Sequence, residues 1–261
     1  MTICIAAIAK QGEEENIVFA TDHMVSTRMG NFEHPTQKFK TVNDKTVVML
    51  AGNPLLFNDL TKIDNPSLSY GEIKTAIHEN FKNKKKDIIQ KELLDPLGVE
   101  FNAVIPVALM GSYTNEIMLR IMDKITRFKM DTSILLIGFD ENKKAQLTEI
   151  REDNISDFRM FNFHAIGSGN MQAMNTLLFQ KHDRNEKLRP TIYSVYKAKR
   201  NAEVLEGVGK ETDLFFLNYD RGCADLSEHL SILKEIYENE LSMGKSNEKL
   251  LSIRLEGEKC I

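Results

Sequence analysis

The hydrophobic period of this chain changes in blocks, and the order of the blocks limits the folds open to it. Ile3 to Ala9 and Ile17 to Thr21 read as strands flanking Lys10-Gln11-Gly12-Glu13-Glu14-Glu15-Asn16, an acidic hairpin turn. A loop with Gly30 and Pro35 follows, then strands Phe39 to Val42 and Thr46 to Ala51 about an Asn43-Asp44 turn. Helix takes over near Tyr70, where Ile73, Ile77 and Phe81 recur every four residues, and Asp95-Pro96-Leu97-Gly98 ends it. A second amphipathic helix spans Asn115 to Phe128. Strands return at Ser133 to Phe139, Ala145 to Ile150 and Phe161 to Ile166. Gly167-Ser168-Gly169-Asn170 breaks the last of these and opens a helix. Pro190 suits the first turn of the next helix. Leu214 to Tyr219 reads as a final strand, and a helix from about Ser227 closes the pattern. Runs of strands alternating with runs of helices point to α+β layers rather than βαβ units. No repeat, linker or composition break divides the 261 residues, so one domain over 1–261 is expected.

Composition excludes several function classes. Hydrophobic residues make up 42% and charged residues 28%, enough apolar material for a sizeable core. The net charge of −4 offers no basic face for nucleic acid, and Lys84-Lys85-Lys86 reads as a solvated helix face. Cys4, Cys223 and Cys260 are few, odd in number and far apart, which fits a reducing cytosol better than a disulfide framework or a zinc site. The six histidines form neither HxxxH nor HExxH, so no metal and no cofactor is expected. No apolar run approaches the roughly 18 residues of a membrane span, and no signal peptide is evident. A cytoplasmic protein that binds neither membrane nor nucleic acid is the expectation.

Thr2 supplies the chemistry. Methionine is usually trimmed before a small residue, which would leave Thr2 carrying both a hydroxyl and a free α-amine. A terminal threonine and its own amine are a recognised way to activate a weak nucleophile without histidine. An α-amine has an ordinary pKa of about 7.7–8.0, close to operating pH. Taken singly, the other candidates have plainer roles: Asp22 a turn cap, Lys38 a surface lysine, Gly52 a turn residue, Ser168 a helix N-cap.

Together, these residues make the chain resemble proteasome β-type subunits and their bacterial relatives, within the N-terminal nucleophile hydrolases. Thr2 heads the first strand. "FATDHMVS" resembles the family's second strand, and "TQKFKTVNDKTVVMLAGN" the segment holding its lysine and the glycine after the next strand. "ILLIGFDENKKAQLTEI" and "FHAIGSGNMQAMNTL" resemble its central hairpin and Gly-Ser-Gly helix start. Asp22 to Lys38 spans sixteen residues and Lys38 to Gly52 fourteen, both agreeing with the family's spacing. Thr2 to Asp22 is longer than usual, and the acidic turn can absorb the surplus. The likeness runs from Thr2 to about residue 240.

The resemblance implies a four-layer αββα sandwich with two antiparallel sheets, and a threonine peptidase acting on peptides or unfolded protein. It gives Thr2 the role of nucleophile and Lys38 that of lowering the cost of the alkoxide. Asp22 would hold Lys38 charged, the Gly52 N–H would face the oxyanion, and Ser168 would support the terminal threonine. Ser26 falls on the segment that pairs with substrate backbone, and Leu50 near the base of the first specificity pocket. Where the family carries an aspartate followed by Ser-Gly-Gly before the last strand, this chain reads "VLEGVGKETDLFF"; Glu206 is the nearest acidic residue, and no serine follows it. The resemblance also implies a ring-shaped homo- or hetero-oligomer and leaves room for an ATPase regulator. An α-type subunit would carry an extra segment before the first strand, so the β-type is expected. Two alternatives share the fold: an inactive structural subunit, and an amidohydrolase acting on a small-molecule amide.

Overall fold

Strands β1 (Ile3–Gln11) and β2 (Glu14–Asp22) form the hairpin that organises the molecule. The computed structural model describes residues 2–27, 30–104 and 116–257; Met1, Asn115 and Cys260 lie outside them. The expected seven-residue turn closes to Gly12-Glu13, because Lys10 pairs with Glu15 and Gln11 with Glu14. Glu15 is buried there, its carboxylate accepting Ala145 N–H at 2.8 Å and facing Lys144 and Arg184, which anchors the start of β2, and Gly12 takes the φ of +66° that the tight turn needs. Where a loop was expected, Met24–Thr27 (β3) and Gly30–Glu33 (β4) pair as a small two-stranded sheet. Four-residue strands of mixed polarity carry no alternation long enough to read.

Two five-stranded antiparallel sheets make the frame. The first runs β10 (Phe163–Gly167), β1, β2, β11 (Thr212–Asn218), β12 (Gly222–Asp225). The second runs β5 (Phe39–Asn43), β6 (Thr46–Ala51), β7 (Ser133–Phe139), β8 (Ala145–Ile150), β9 (Ile155–Asp157). The short edge strands β9 and β12 have no clear sequence signal. Helix α1 (Phe57–Leu60) precedes the long α2 (Tyr70–Ile89), which continues through a wide turn at Gln90–Leu94 and stops at Gly98 with φ +65°. Helix α3 (Glu116–Arg127) occupies the predicted second helical segment. Helices α4 (Asn170–Phe179), α5 (Leu188–Ala202) and α6 (Leu230–Gly257) follow the second strand block.

The pleat of β1 explains why its sequence is apolar throughout. Ile3, Ile5 and Ala7 point into a core shared with α4, α5 and the start of α6, through Ala173, Leu177, Val195, Ala198 and Leu233. Cys4, Ala6 and Ile8 point the opposite way, onto Val47, Met49, Leu135 and Ile137 of the second sheet. That sheet turns Val48, Leu136 and Ile150 to Ile73, Ile77 and Phe81 of α2. Each Ile, Leu or Phe fully buried in this way stabilises the fold by about 1.5–3 kcal/mol. Sheets buried on both faces leave strand ends as the places where polar side chains gather.

Candidate active site

Thr2 stands immediately before β1, and the β1–β2 register sets Cys4 opposite Thr21, so Asp22 at the end of β2 comes beside Thr2. The β1–β10 register sets Ile3 opposite Gly167 of β10, which brings Ser168 to the backbone of Thr2. From the second sheet, Lys38 lies just ahead of β5, its C=O accepting the Leu50 N–H at 2.9 Å, and Gly52 follows β6 directly. Sheet topology thus brings Thr2, Asp22, Lys38, Gly52 and Ser168, separated by up to 166 residues, to one end of the molecule.

Asp22 is the centre of this cluster and is wholly buried. Its Oδ1 accepts hydrogen bonds from Thr2 Oγ1 at 2.6 Å, Lys38 Nζ at 2.6 Å and Ile3 N–H at 3.0 Å. Its Oδ2 accepts from Gly209 N–H at 2.7 Å and Met24 N–H at 3.3 Å. A buried carboxylate is tolerable only with such compensation. Lys38 Nζ also donates to Thr2 Oγ1. The threonine hydroxyl therefore accepts from an ammonium while donating to a carboxylate. Thr2 N donates to Ser168 Oγ at 3.2 Å, and Ser168 Oγ donates to Thr2 C=O at 3.3 Å.

Two glycines are fixed by the space around them. Gly52 has φ +119°, and a Cβ there would come within 2.5 Å of Asp131 C=O and 2.8 Å of Thr132 Oγ1. Thr132, itself buried, holds the next peptide by accepting Asn53 N–H at 3.2 Å. Gly167 has φ +98°, and a Cβ would meet Thr2 C=O at 2.2 Å. Only glycine lets these backbones approach so closely. Beneath the cluster, Cys4 Sγ lies 3.4 Å from Leu50 C=O, and burial pushes its thiol pKa well up, which keeps it inert as a nucleophile.

Thr2 and Gly52 border two hollows. One, of about 500 Å³, is polar and charged, with Lys129, Asp131, Arg151 and Asp153 on its walls. The other is smaller and mainly apolar, bounded by Met24, Val25, Leu50, Pro54 and Phe57 beside Lys38. Leu50 thus reaches the Thr2 neighbourhood. Ser26 lies in β3, opposite Asn31 of β4. Glu206 sits on an exposed turn, and the contacts described above do not include it. The same loop meets Asp22 through a backbone amide, that of Gly209. Neither Gly209 nor Thr132 stood out in the sequence; the closely spaced Gly207 and Gly209 ahead of β11 were the available signal for the first, and none pointed to the second. Among the described residues no group of three or more His, Cys, Asp or Glu side chains is arranged to hold a metal ion, and no helix is long and apolar enough to cross a membrane.

No protein-family model matches this sequence, and no curated protein does. Solved structures do. The chain superposes on a mutant of Anbu from Hyphomicrobium sp. strain MC1 with a TM-score of 0.60 at 12% identity, covering 94% of this chain and 97% of that one. Mixed helices and antiparallel sheets of the Anbu fold define the structural class of this molecule.

Proposed function

We propose that this chain is a threonine-type peptidase of the proteasome-like group, with Thr2 as its nucleophile once Met1 is removed. The observation that carries the reading is the hydroxyl of Thr2 held between Lys38 Nζ and Asp22 Oδ1. The likeness to Anbu over 94% of the chain adds support at the level of fold. Three apolar cores stacked between helices and the two sheets support a single-domain, four-layer αββα sandwich.

In the proposed reaction, Thr2 Oγ attacks the scissile carbonyl and forms a C–O bond as its proton passes, through water, to the freed α-amine. Lys38 stabilises the developing alkoxide, and Asp22 keeps the ammonium charged and oriented. The carbonyl oxygen becomes an oxyanion facing Gly52 N–H; one such donor is worth about 10²–10³ in rate. Collapse breaks the C–N bond, the leaving amine takes the proton, and water then hydrolyses the acyl-threonine ester. Ser168, already bonded to Thr2 N, orients the amine. The substrate strand adds to β3 at Ser26 through main-chain hydrogen bonds. The side chain before the cleaved bond enters the hollow at Leu50, which favours an apolar residue. Peptides and unfolded protein are the proposed substrates, inside a ring of copies of this or a related chain, and an ATPase regulator is the class of partner such a ring would take.

The test is hydrolysis of short fluorogenic peptides and of unfolded casein by purified Met1-free protein. The reading predicts turnover of apolar-P1 peptides and a loss of about 10³-fold or more in Thr2→Ala. Turnover that survives Thr2→Ala would refute it.

A further inference from the structure

Residues 208–211, just ahead of β11, tie several parts of the molecule together. Val208 packs into the core beside Gly169. Gly209 N–H donates to Asp22 Oδ2 at 2.7 Å. The N–H groups of Lys210 and Glu211 both donate to Glu33 Oε1, the latter at 3.3 Å. Lys210 C=O accepts from Lys199 Nζ at 2.8 Å. Successive amides aimed at carboxylates form an anion-binding concavity, and this one holds a carboxylate of the cluster and a carboxylate of the β3–β4 hairpin side by side. A Cβ at Gly209 would be crowded: it would lie 2.9 Å from both Met24 N and Glu33 Oε1 and 3.2 Å from Asp22 Oδ2.

Lys199 anchors the far side of the loop. It lies on α5 with 0% of its surface exposed, pairs with Glu203 at 2.6 Å, and Glu203 is held in turn by Arg200 at 2.8 Å. Burial pushes the Lys199 amine down from its ordinary pKa, against the opposing pull of Glu203. A buried ammonium is costly unless its donors are used, and here one of them goes to the loop's own backbone. The neighbouring α5 positions Ala198 and Ala202 are the apolar ones that face the core.

We propose that Lys199 and Glu33 are positioning residues for the nucleophile: they clamp the 203–211 loop so that the Gly209 amide stays on Asp22. The clamp couples the position of the β3–β4 hairpin to the Thr2–Asp22–Lys38 cluster. This inference rests on the peptidase reading, because its consequence is kinetic.

Lys199→Met, Glu33→Ala and Glu33→Gln in the full chain test it, with amide hydrogen exchange at Gly209–Glu211, peptide kinetics and thermal melting as readouts. In Lys199→Met and Glu33→Ala the three amides should exchange at least about tenfold faster, and kcat should fall about tenfold or more with KM little changed, the size of a lost charge-assisted hydrogen bond. Glu33→Gln keeps a carbonyl acceptor and should recover most of the exchange protection and rate. Unchanged exchange in both Lys199→Met and Glu33→Ala overturns the inference. So does a fall in kcat that follows only the loss of folded protein, with Glu33→Gln as slow as Glu33→Ala. Wild-type protein without Thr2-dependent turnover overturns the peptidase reading instead, and the exchange rates then decide alone whether Lys199 and Glu33 hold the loop.

Discussion

Asp22 shows how one buried residue ties stability to chemistry. Its carboxylate is wholly buried, and Lys38, with 11% of its side chain exposed, is the cation that neutralises it. Lys38→Ala therefore leaves a buried charge with only hydroxyl and backbone donors. We expect it to cost about 3 kcal/mol, the low end for stripping one partner from a buried pair because those donors remain, as well as peptidase activity. Denaturant unfolding measures the first, and a change under about 0.5 kcal/mol would contradict it. Gly52→Ala meets both a positive φ and the Asp131 carbonyl at 2.5 Å, so it should cost about 1–3 kcal/mol and at least about tenfold in kcat. Phe57→Ala should widen the apolar hollow beside Leu50 and raise the relative kcat/KM for bulkier P1 residues about tenfold, the scale on which apolar pockets discriminate. At this scale no single residue type spoke; the signal was the combination, a threonine behind Met1 with Asp22, Lys38 and Gly52 at sixteen- and fourteen-residue spacings. Gly209 and Thr132 went unread, because their contributions run through a backbone N–H and a hydroxyl bonded to a neighbouring backbone; the Gly207/Gly209 spacing was the one trace of the first, and the second left none.

Elements were legible where period and a stop signal spoke together, as in helix α2 with its four-residue repeat and the Asp95–Gly98 stop. The structure adds what was not read, a Ser69/Glu72 capping box, with Glu72 N–H donating to Ser69 Oγ at 3.4 Å and Ser69 N–H to Glu72 Oε2 at 2.8 Å. Ser69→Ala should cost about 1 kcal/mol and lower Tm by about 2–4 °C while leaving peptide turnover unchanged, because it lies outside the Thr2 cluster. Melting curves and initial rates check both halves. The β3–β4 hairpin and the edge strands β9 and β12 escaped notice for the opposite reason: three or four residues of mixed polarity are held by pairing with neighbours that the local sequence does not specify. The acidic segment after β1 was misjudged in length because Glu15 is not a turn residue: its buried carboxylate is held by Ala145 N–H, Lys144 and Arg184, contacts from a distant part of the chain.

At the scale of the whole molecule, burial of titratable groups makes stability depend on pH. Burial holds the His182 imidazole below its ordinary value of 6.5, against a hydrogen bond to Ile8 C=O and nearby Glu186 and Asp183; its Nδ1 has no partner among the described residues. Burial also acts on Glu149, pushing its carboxyl up, but hydrogen bonds from His164 and Arg151 outweigh it and hold the group below 4.5. Both folded-state values lie below the unfolded ones. Each group's stabilisation is therefore complete above the ordinary value and lost as pH falls through the folded one. Stability should decline first as pH drops below about 6.5, through His182, and again below about 4.5, through Glu149. His182→Gln should flatten the first decline in a Tm-against-pH series; parallel curves for the two proteins would contradict this.

The measurement that tests the central claim most directly is the intact mass and N-terminal sequence of the purified protein before and after an epoxyketone that bridges a threonine hydroxyl and its α-amine. A chain beginning at Thr2 that gains one inhibitor on that residue, with no adduct in Lys38→Ala, is the predicted result. A retained Met1, or a free Thr2 that takes no adduct, would contradict it.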